Sequence, residues 1–146
     1  NKVRKAVGNF HYIHSVDSIG LAEEIDKKAG SINKLQNIFI ECNISNEESK
    51  MGLTNYNEIW QLAEFIKGLK NLNLCGLMTM APYTDDTAVI RNTFKGLKNV
   101  FDEMNRSGYS LTELSMGMTN DYDIAIEEGS TMLRVGTAIF GERIYI

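Results

Sequence analysis

The sequence predicts an α/β fold in which short parallel strands alternate with helices. Five short apolar segments alternate with four longer segments, and the apolar residues of the longer ones recur with the period of a helix. The connections are short, and the only proline, Pro82, stands directly after one of the apolar segments. Strands and helices in this order pair in parallel through right-handed crossovers. Part of a (β/α)8 barrel and an open doubly wound sheet both satisfy the pattern.

Five strands are predicted from the short apolar segments. The second has the strongest strand composition, because it combines β-branched and aromatic residues, and Pro82 stops the third. The predicted strands are residues 12–16, 38–44, 74–80, 111–116 and 132–135.

Four helices are predicted from apolar periodicity together with residues that favour helix ends. Ser18 can cap a helix that runs to about residue 29, with Gly30 just past its end. Asn55 or Asn57 opens the second helix, which extends to about residue 69. The third and longest helix covers 86–107, and the fourth covers 120–128.

Composition describes an ordinary globular chain and argues against several classes of function. The 146 residues suffice for a single domain spanning 1–146, with 43% hydrophobic and 23% charged residues. A net charge of −4 gives no basic surface for nucleic acid, and no apolar run is long enough to span a membrane. Cys42 and Cys75 lie in separate apolar segments, as expected for reduced thiols of a cytoplasmic protein. No residue spacing indicates a metal site.

Ligands of parallel α/β folds bind at the carboxyl ends of the strands, so the residues at those ends predict the chemistry of the site. Here they are hydroxyl, amide and glycine residues, with no carboxylate, histidine pair or cysteine among them. This composition favours a phosphate-bearing ligand over a metal or a hydrolytic centre. The residues are His14, Ser15, Asn43, Ser45, Met78, Thr79, Ser115, Met116, Gly117, Met118, Thr119, Arg134, Gly136 and Thr137.

Arg134 is the strongest single indication of a ligand. It stands between apolar neighbours in a predicted inner strand, where a buried charge needs an acceptor from either a ligand or a core carboxylate. The other residues have structural alternatives. Residues 115–119 could form a plain turn in which Thr119 or Asn120 caps the next helix. Residues 136–137 could form a tight turn, and His14 could be a core histidine.

Several motifs, in this order and spacing, resemble the pyridoxal phosphate (PLP) homeostasis family. The resemblance implies a partial (β/α)8 TIM barrel of the alanine racemase N-terminal kind. It also implies a PLP-binding protein of vitamin B6 and amino-acid homeostasis, without a clear catalytic reaction. The motifs are Ile13-His-Ser-Val-Asp, Asn43-Ile-Ser, Glu48-Ser-Lys-Met-Gly, Gly76-Leu-Met-Thr-Met, Leu114-Ser-Met-Gly-Met-Thr and Gly129-Ser-Thr-Met-Leu-Arg-Val-Gly-Thr-Ala-Ile-Phe-Gly.

The resemblance also assigns roles to individual residues. Arg134 would face the pyridine nitrogen of PLP, while Gly136 and Thr137 would bind its phosphate. Ser115 and Gly117 would close the other side of the phosphate. Asn1 matches the end of a family motif near the ring. Met116 and Asn43 complete the expected cofactor-binding set.

The lysine that binds PLP covalently in this family would precede Asn1, so we expect this chain to be the C-terminal part of the barrel. Such a part would keep the phosphate and ring-nitrogen half of the site and could self-associate through exposed sheet edges. Two alternatives remain open. One is an amino-acid racemase, which would need a second domain with a catalytic tyrosine, and the other is a barrel for another phosphorylated small molecule.

Overall fold

A computed structural model describes residues 2–47 and 50–141, which form one parallel sheet covered by helices. The strands are β1 (Tyr12–Val16), β2 (Gln36–Glu41), β3 (Leu72–Met78) and β4 (Glu113–Ser115). The helices are α1 (Lys2–Asn9), α2 (Ile19–Ser31), α3 (Tyr56–Lys67), α4 (Thr87–Arg106), α5 (Tyr122–Glu127) and α6 (Thr137–Phe140).

The order of strands in the sheet distinguishes between the two architectures that the sequence left open. The strands are parallel and lie in chain order, β1-β2-β3-β4. A doubly wound sheet reverses its strand order at a switch point, whereas a barrel adds each strand beside the preceding one. The described sheet is therefore a segment of a barrel wall, as the resemblance implied.

Side-chain caps begin three helices where the sequence predicted them. The Ser18 hydroxyl accepts from the Leu21 amide at 3.4 Å, and the Asn55 side chain opens α3. The Asp86 carboxylate accepts from the first amides of α4. Gly30 lies inside α2 rather than beyond it, because α2 continues to Ser31. Helix α1 was not predicted, and the Lys34 ammonium binds the carbonyl oxygens of Val7 and Phe10 at its C-terminal end.

The sheet has an outer face packed on the helices and an inner face that carries the candidate site. Alternate residues of β2, β3 and β4 point outward into the main hydrophobic core, including Ile38, Ile40, Leu77 and Leu114. A smaller apolar cluster of Phe39, Cys75 and Met78 lies on the inner face, with Tyr12, Met80 and Met132 packed against it. Among the described residues no helix is both long and apolar enough to cross a membrane.

The predicted fifth strand is wrong, because residues 132–135 do not form a regular strand, although they do run alongside β4. This segment runs beside β4, and the Met116 amide donates to the Met132 carbonyl at 3.2 Å. Only one bridge forms, between Ser115 and Met132. Gly117 follows β4 with a φ of +97°, which turns the chain out of the extended conformation and stops the ladder.

Candidate cofactor site

A cleft of about 1060 Å³ opens at the carboxyl ends of β3 and β4. Its lining residues come from residues 81–90, which follow β3 and enter α4, from residues 118–124, which follow β4 and enter α5, and from residues 134–141 with α6. Arg134, Gly136 and Thr137, three of the residues expected to bind a cofactor, share this cleft. The structure therefore brings these three predicted residues together at the edge where parallel α/β folds bind ligands.

Both donor arms of the Arg134 guanidinium are held by uncharged acceptors. Its Nη1 donates to the Ser115 hydroxyl at 2.6 Å, and its Nη2 donates to the Thr79 carbonyl oxygen at 2.9 Å. Burial lowers the pKa of Arg134, and the charges of Asp121 and Glu41 act in the opposite direction. Within the described residues no carboxylate forms an ion pair with Arg134. The core carboxylate that the sequence left open as a partner is therefore not seen, and the half-buried charge can still attract an electron-rich ligand atom.

His14 joins the same network from the other edge of the sheet. Its Nδ1 lies 2.9 Å from the Ser115 hydroxyl oxygen, and its ring stacks on Phe39 with centroids 4.3 Å apart and planes at 14°. Burial lowers the pKa of His14, and the charge of Arg134 lowers it further. From the sequence alone, His14 could also be a core histidine. His14 stands two residues after Tyr12 on β1, so both side chains lie on the same face of the sheet, and Tyr12 packs against the inner cluster.

The expected phosphate-binding residues lie on two loops that meet across the cleft. The Thr137 and Thr119 hydroxyl oxygens are 3.0 Å apart, and Thr119 also lies 3.4 Å from the Ala138 amide. Asp121, not Thr119 or Asn120, occupies the N-cap position of α5, and its carboxylate accepts from the Met118 amide. The capping turn predicted as the alternative for Thr119 is therefore wrong, because its hydroxyl faces the Thr137 loop.

Gly117 lets the loop after β4 approach its neighbours closely. A Cβ at this position would lie 2.6 Å from the Ala125 Cβ and 3.0 Å from Leu133. The Gly117 carbonyl accepts from the Arg134 amide at 3.0 Å, which ties the two site loops together. The positive φ and the lack of space both require glycine here, so Gly117 shapes the site through its backbone.

Three other residues of the expected set contribute differently or lie outside the described part. Met116 is fully buried in the main core, so its side chain points away from the inner face. The side-chain Nδ2 of Asn43 donates to the backbone carbonyl oxygens of Glu47 and Lys50 and so holds the loop after β2. Asn1 lies outside the described residues. Their roles at a cofactor stay predictions, and the first two have evident structural tasks.

Comparison with known proteins places this barrel segment in a family. The family model for the alanine racemase N-terminal domain matches residues 1–144, so the chain belongs to that family. Within it, the chain is 42% identical over 146 residues to the pyridoxal phosphate homeostasis protein of Aquifex aeolicus, covering 99% of this chain and 64% of that relative. The corresponding protein of Synechocystis is 43% identical over 145 residues, covering 99% of this chain and 66% of its own length. The resemblance predicted from the motifs is confirmed.

A solved structure supports the same assignment. PipY of Synechococcus elongatus, solved with PLP bound, superposes with a TM-score of 0.86 at 33% identity. The match covers 96% of this chain and 65% of PipY. The chain thus spans less than two thirds of the Aquifex relative and of PipY, and its fold is that of the matching part of their barrel.

Proposed function

We propose that this chain supplies the phosphate and ring-nitrogen half of a PLP site in a vitamin B6 homeostasis protein without a clear catalytic reaction. The observation that carries the proposal is the position of Arg134. Its guanidinium lies at the carboxyl edge of a parallel sheet, is held by two neutral oxygens, and lines a cleft with Gly136 and Thr137. The residues present therefore fit a ligand with an aromatic nitrogen and a phosphate.

Arg134 suits an unprotonated pyridine nitrogen. Arginine keeps its protons at any physiological pH and can only donate, so it would hold the ring nitrogen as an acceptor. Bound PLP supplies an electron-withdrawing ring, and that ring withdraws electrons less strongly when its nitrogen carries no proton. The residue at this position thus favours storing and delivering the cofactor over catalysis with it.

The loops carrying Gly136 and Thr137 on one side and Thr119 on the other suit a phosphate. The backbone N–H groups of Gly136 and Thr137 have no acceptor among the described residues. Phosphate oxygens bind well to such amides together with hydroxyl groups and a nearby positive charge. The Ser115 hydroxyl, expected on the phosphate, is instead engaged by Arg134 and His14. We therefore place Ser115 on the ring-nitrogen side and leave the phosphate to the amides and threonines.

The named relatives support this reading of the site. PipY binds PLP, and the Aquifex and Synechocystis proteins carry the name of PLP homeostasis proteins. The matches cover 99% of this chain and therefore include the segments that build the cleft. PLP as the ligand and homeostasis as the role are for this chain part of the proposal.

The test measures non-covalent binding in the full-length protein. The probe is 4′-deoxypyridoxine 5′-phosphate, which keeps the pyridine nitrogen and phosphate but has no aldehyde to react with a lysine. We expect Arg134→Met to weaken its binding about tenfold in calorimetry, the loss expected for one charge-assisted hydrogen bond. Arg4→Met, which removes an exposed arginine on α1, is the matched control and leaves affinity unchanged.

Two results would overturn parts of this proposal separately. If wild-type protein binds neither PLP nor the probe, the proposed function is wrong. If the probe binds but Arg134→Met leaves its affinity untouched, the ring-nitrogen role is wrong while PLP binding stands.

A further inference from the structure

Three side chains from separate parts of the chain form one continuous hydrogen-bonded row on the inner face. His14 comes from β1, Ser115 from β4, and Arg134 from the segment after Gly129. The Ser115 oxygen is 2.9 Å from His14 Nδ1 and 2.6 Å from Arg134 Nη1. The His14–Ser115 contact joins residues 101 positions apart, so the fold, not local sequence, creates the row.

The direction of each hydrogen bond in this row follows from what each group can do. Arginine only donates, so the Ser115 oxygen accepts from Arg134. The single proton of the Ser115 hydroxyl then needs an acceptor, and the only other polar partner within the described residues is His14 Nδ1. His14 Nδ1 can accept that proton only when His14 is neutral and carries its own proton on Nε2.

The His14 ring is held rigidly enough to act as a fixed acceptor. It stacks on Phe39 at 4.3 Å, and Tyr12 contacts it edge-on with centroids 6.2 Å apart. A fixed Nδ1 orients the Ser115 hydroxyl, whose lone pairs then fix the position of one guanidinium arm. Thr79 fixes the other arm through a backbone carbonyl.

We propose that His14 is a positioning residue which, through the Ser115 hydroxyl, sets the orientation of Arg134 toward the ring nitrogen of the cofactor. The inference rests on the proposed function, because it needs Arg134 to meet that nitrogen. His14 itself need not touch the ligand. Arginine has several rotatable bonds, and a guanidinium fixed before binding loses less side-chain entropy when the ligand arrives.

Protonation of His14 would break this arrangement. Nδ1 would then be a donor, so the Ser115 hydroxyl proton would lose its acceptor among the described residues, and two positive charges would stand beside Ser115. The charged groups that act on the row are Arg134 itself, Glu41 on β2 and Asp121 before α5, while Tyr12 flanks His14 on its own strand. The carboxylates of Glu41 and Asp121 favour the charge of Arg134.

Two matched variants separate the proposed role from simple packing. His14→Phe keeps an aromatic ring for Phe39 but removes the acceptor for Ser115. His14→Asn loses the stacking but offers an amide oxygen close to the place of Nδ1. His11→Phe is the control, because His11 precedes β1 and its Nε2 contacts the Asn37 side chain at 3.0 Å, away from Ser115.

The first experiment compares two ligands on the full-length protein by calorimetry. The first ligand is 4′-deoxypyridoxine 5′-phosphate, and the second is benzyl phosphate, which carries a phosphate on an aromatic ring without a ring nitrogen. We expect His14→Phe to weaken binding of the pyridine compound about fivefold, the lower end of the effect of losing a buried hydrogen bond. Benzyl phosphate should bind unchanged, and His14→Asn should recover most of the lost affinity.

The outcomes distinguish this inference from the proposed function. If Arg134→Met weakens the pyridine compound but His14→Phe does not, the positioning role is wrong and the proposed function stands. If His14→Phe weakens both ligands equally and His14→Asn fails to recover affinity, His14 is only a packing residue. If Arg134→Met has no effect, the ring-nitrogen role fails, whatever His14 does.

A second readout needs no ligand. Nitrogen-15 NMR of histidine side chains reports directly which ring nitrogen carries the proton, and loss of one signal in His14→Phe identifies His14. We expect the Nε2–H tautomer in the wild type and a change in the Nδ1 signal in Ser115→Ala. A wild-type spectrum with the proton on Nδ1 would overturn the inference.

Discussion

Gly76 on β3 faces a strand that leaves no room for a side chain. A Cβ built on this glycine would lie 1.9 Å from the carbonyl oxygen of Glu113 and 2.7 Å from its carbonyl carbon, both backbone atoms of β4. Gly76 pairs directly with Glu113 in the parallel ladder. Since backbone atoms cannot rotate away as a side chain can, Gly76→Ala must push β4 off β3.

The distance by which β4 must move from β3 sets the size of the loss in unfolding free energy. Restoring a tolerable separation requires a shift of about 1 Å between the strands. Such a shift strains the backbone hydrogen bonds on either side of Gly76. These run from the Thr112 amide to the Cys75 carbonyl at 2.9 Å and from the Thr79 amide to the Ser115 carbonyl at 3.1 Å. Two weakened backbone hydrogen bonds and overpacking between strands together cost about 4 kcal/mol of unfolding free energy.

Thermal and urea unfolding measure this loss. Gly76→Ala should lower the melting temperature by about 10 °C or more, and it should also weaken probe binding because Ser115 moves with β4. Gly20→Ala is the matched control, since its Cβ would meet nothing within 4 Å in α2 and alanine favours a helix by about 0.5–1 kcal/mol. A Gly76→Ala protein within about 0.5 kcal/mol of wild type would refute the strand geometry.

Two further predictions concern a helix cap and pH. Asp86→Ala should cost about 1 kcal/mol in urea unfolding, because it leaves the first amides of α4 without an acceptor, whereas its neighbour Asp85→Ala should change little. Because folding lowers the pKa of His14 below its ordinary 6.5, the unfolded chain binds the proton more readily. The contribution of His14 to stability should thus be complete above pH 6.5 and decline as the pH falls below it. In urea unfolding at several pH values, His14→Phe should lose less stability than the wild type as the pH falls below 6.5. The same dependence of unfolding free energy on pH in both proteins would contradict the prediction.

The sequence could predict the fold class because the relevant signals are local. Apolar periodicity located α2 to α5 but not α1 or α6, and Ser18, Asn55 and Asp86 marked three helix starts that the structure confirms. The irregular path of 132–135 was not predictable in the same way. Its single bridge depends on how Gly117 turns the neighbouring strand, and that is a tertiary effect.

The candidate site shows the same division between local and long-range information. The ends of the strands indicated Arg134 and Thr137, because side chains at one edge of a parallel sheet converge whatever their distance in sequence. The partners of those side chains could not be predicted. Ser115 was expected at the phosphate but lies between His14 and Arg134, and Met116 points into the core. Such details depend on strand register, which a single sequence leaves open.

The central claim is that Arg134 meets an unprotonated pyridine nitrogen of bound PLP. The most direct test is nitrogen-15 NMR of the full-length protein loaded with PLP labelled at the ring nitrogen, at neutral pH. If Arg134 donates to that nitrogen, the bound signal lies in the range of an unprotonated pyridine and is displaced when Arg134→Met removes the donor. A bound signal in the pyridinium range, or a wild-type signal that the substitution leaves unmoved, would contradict it.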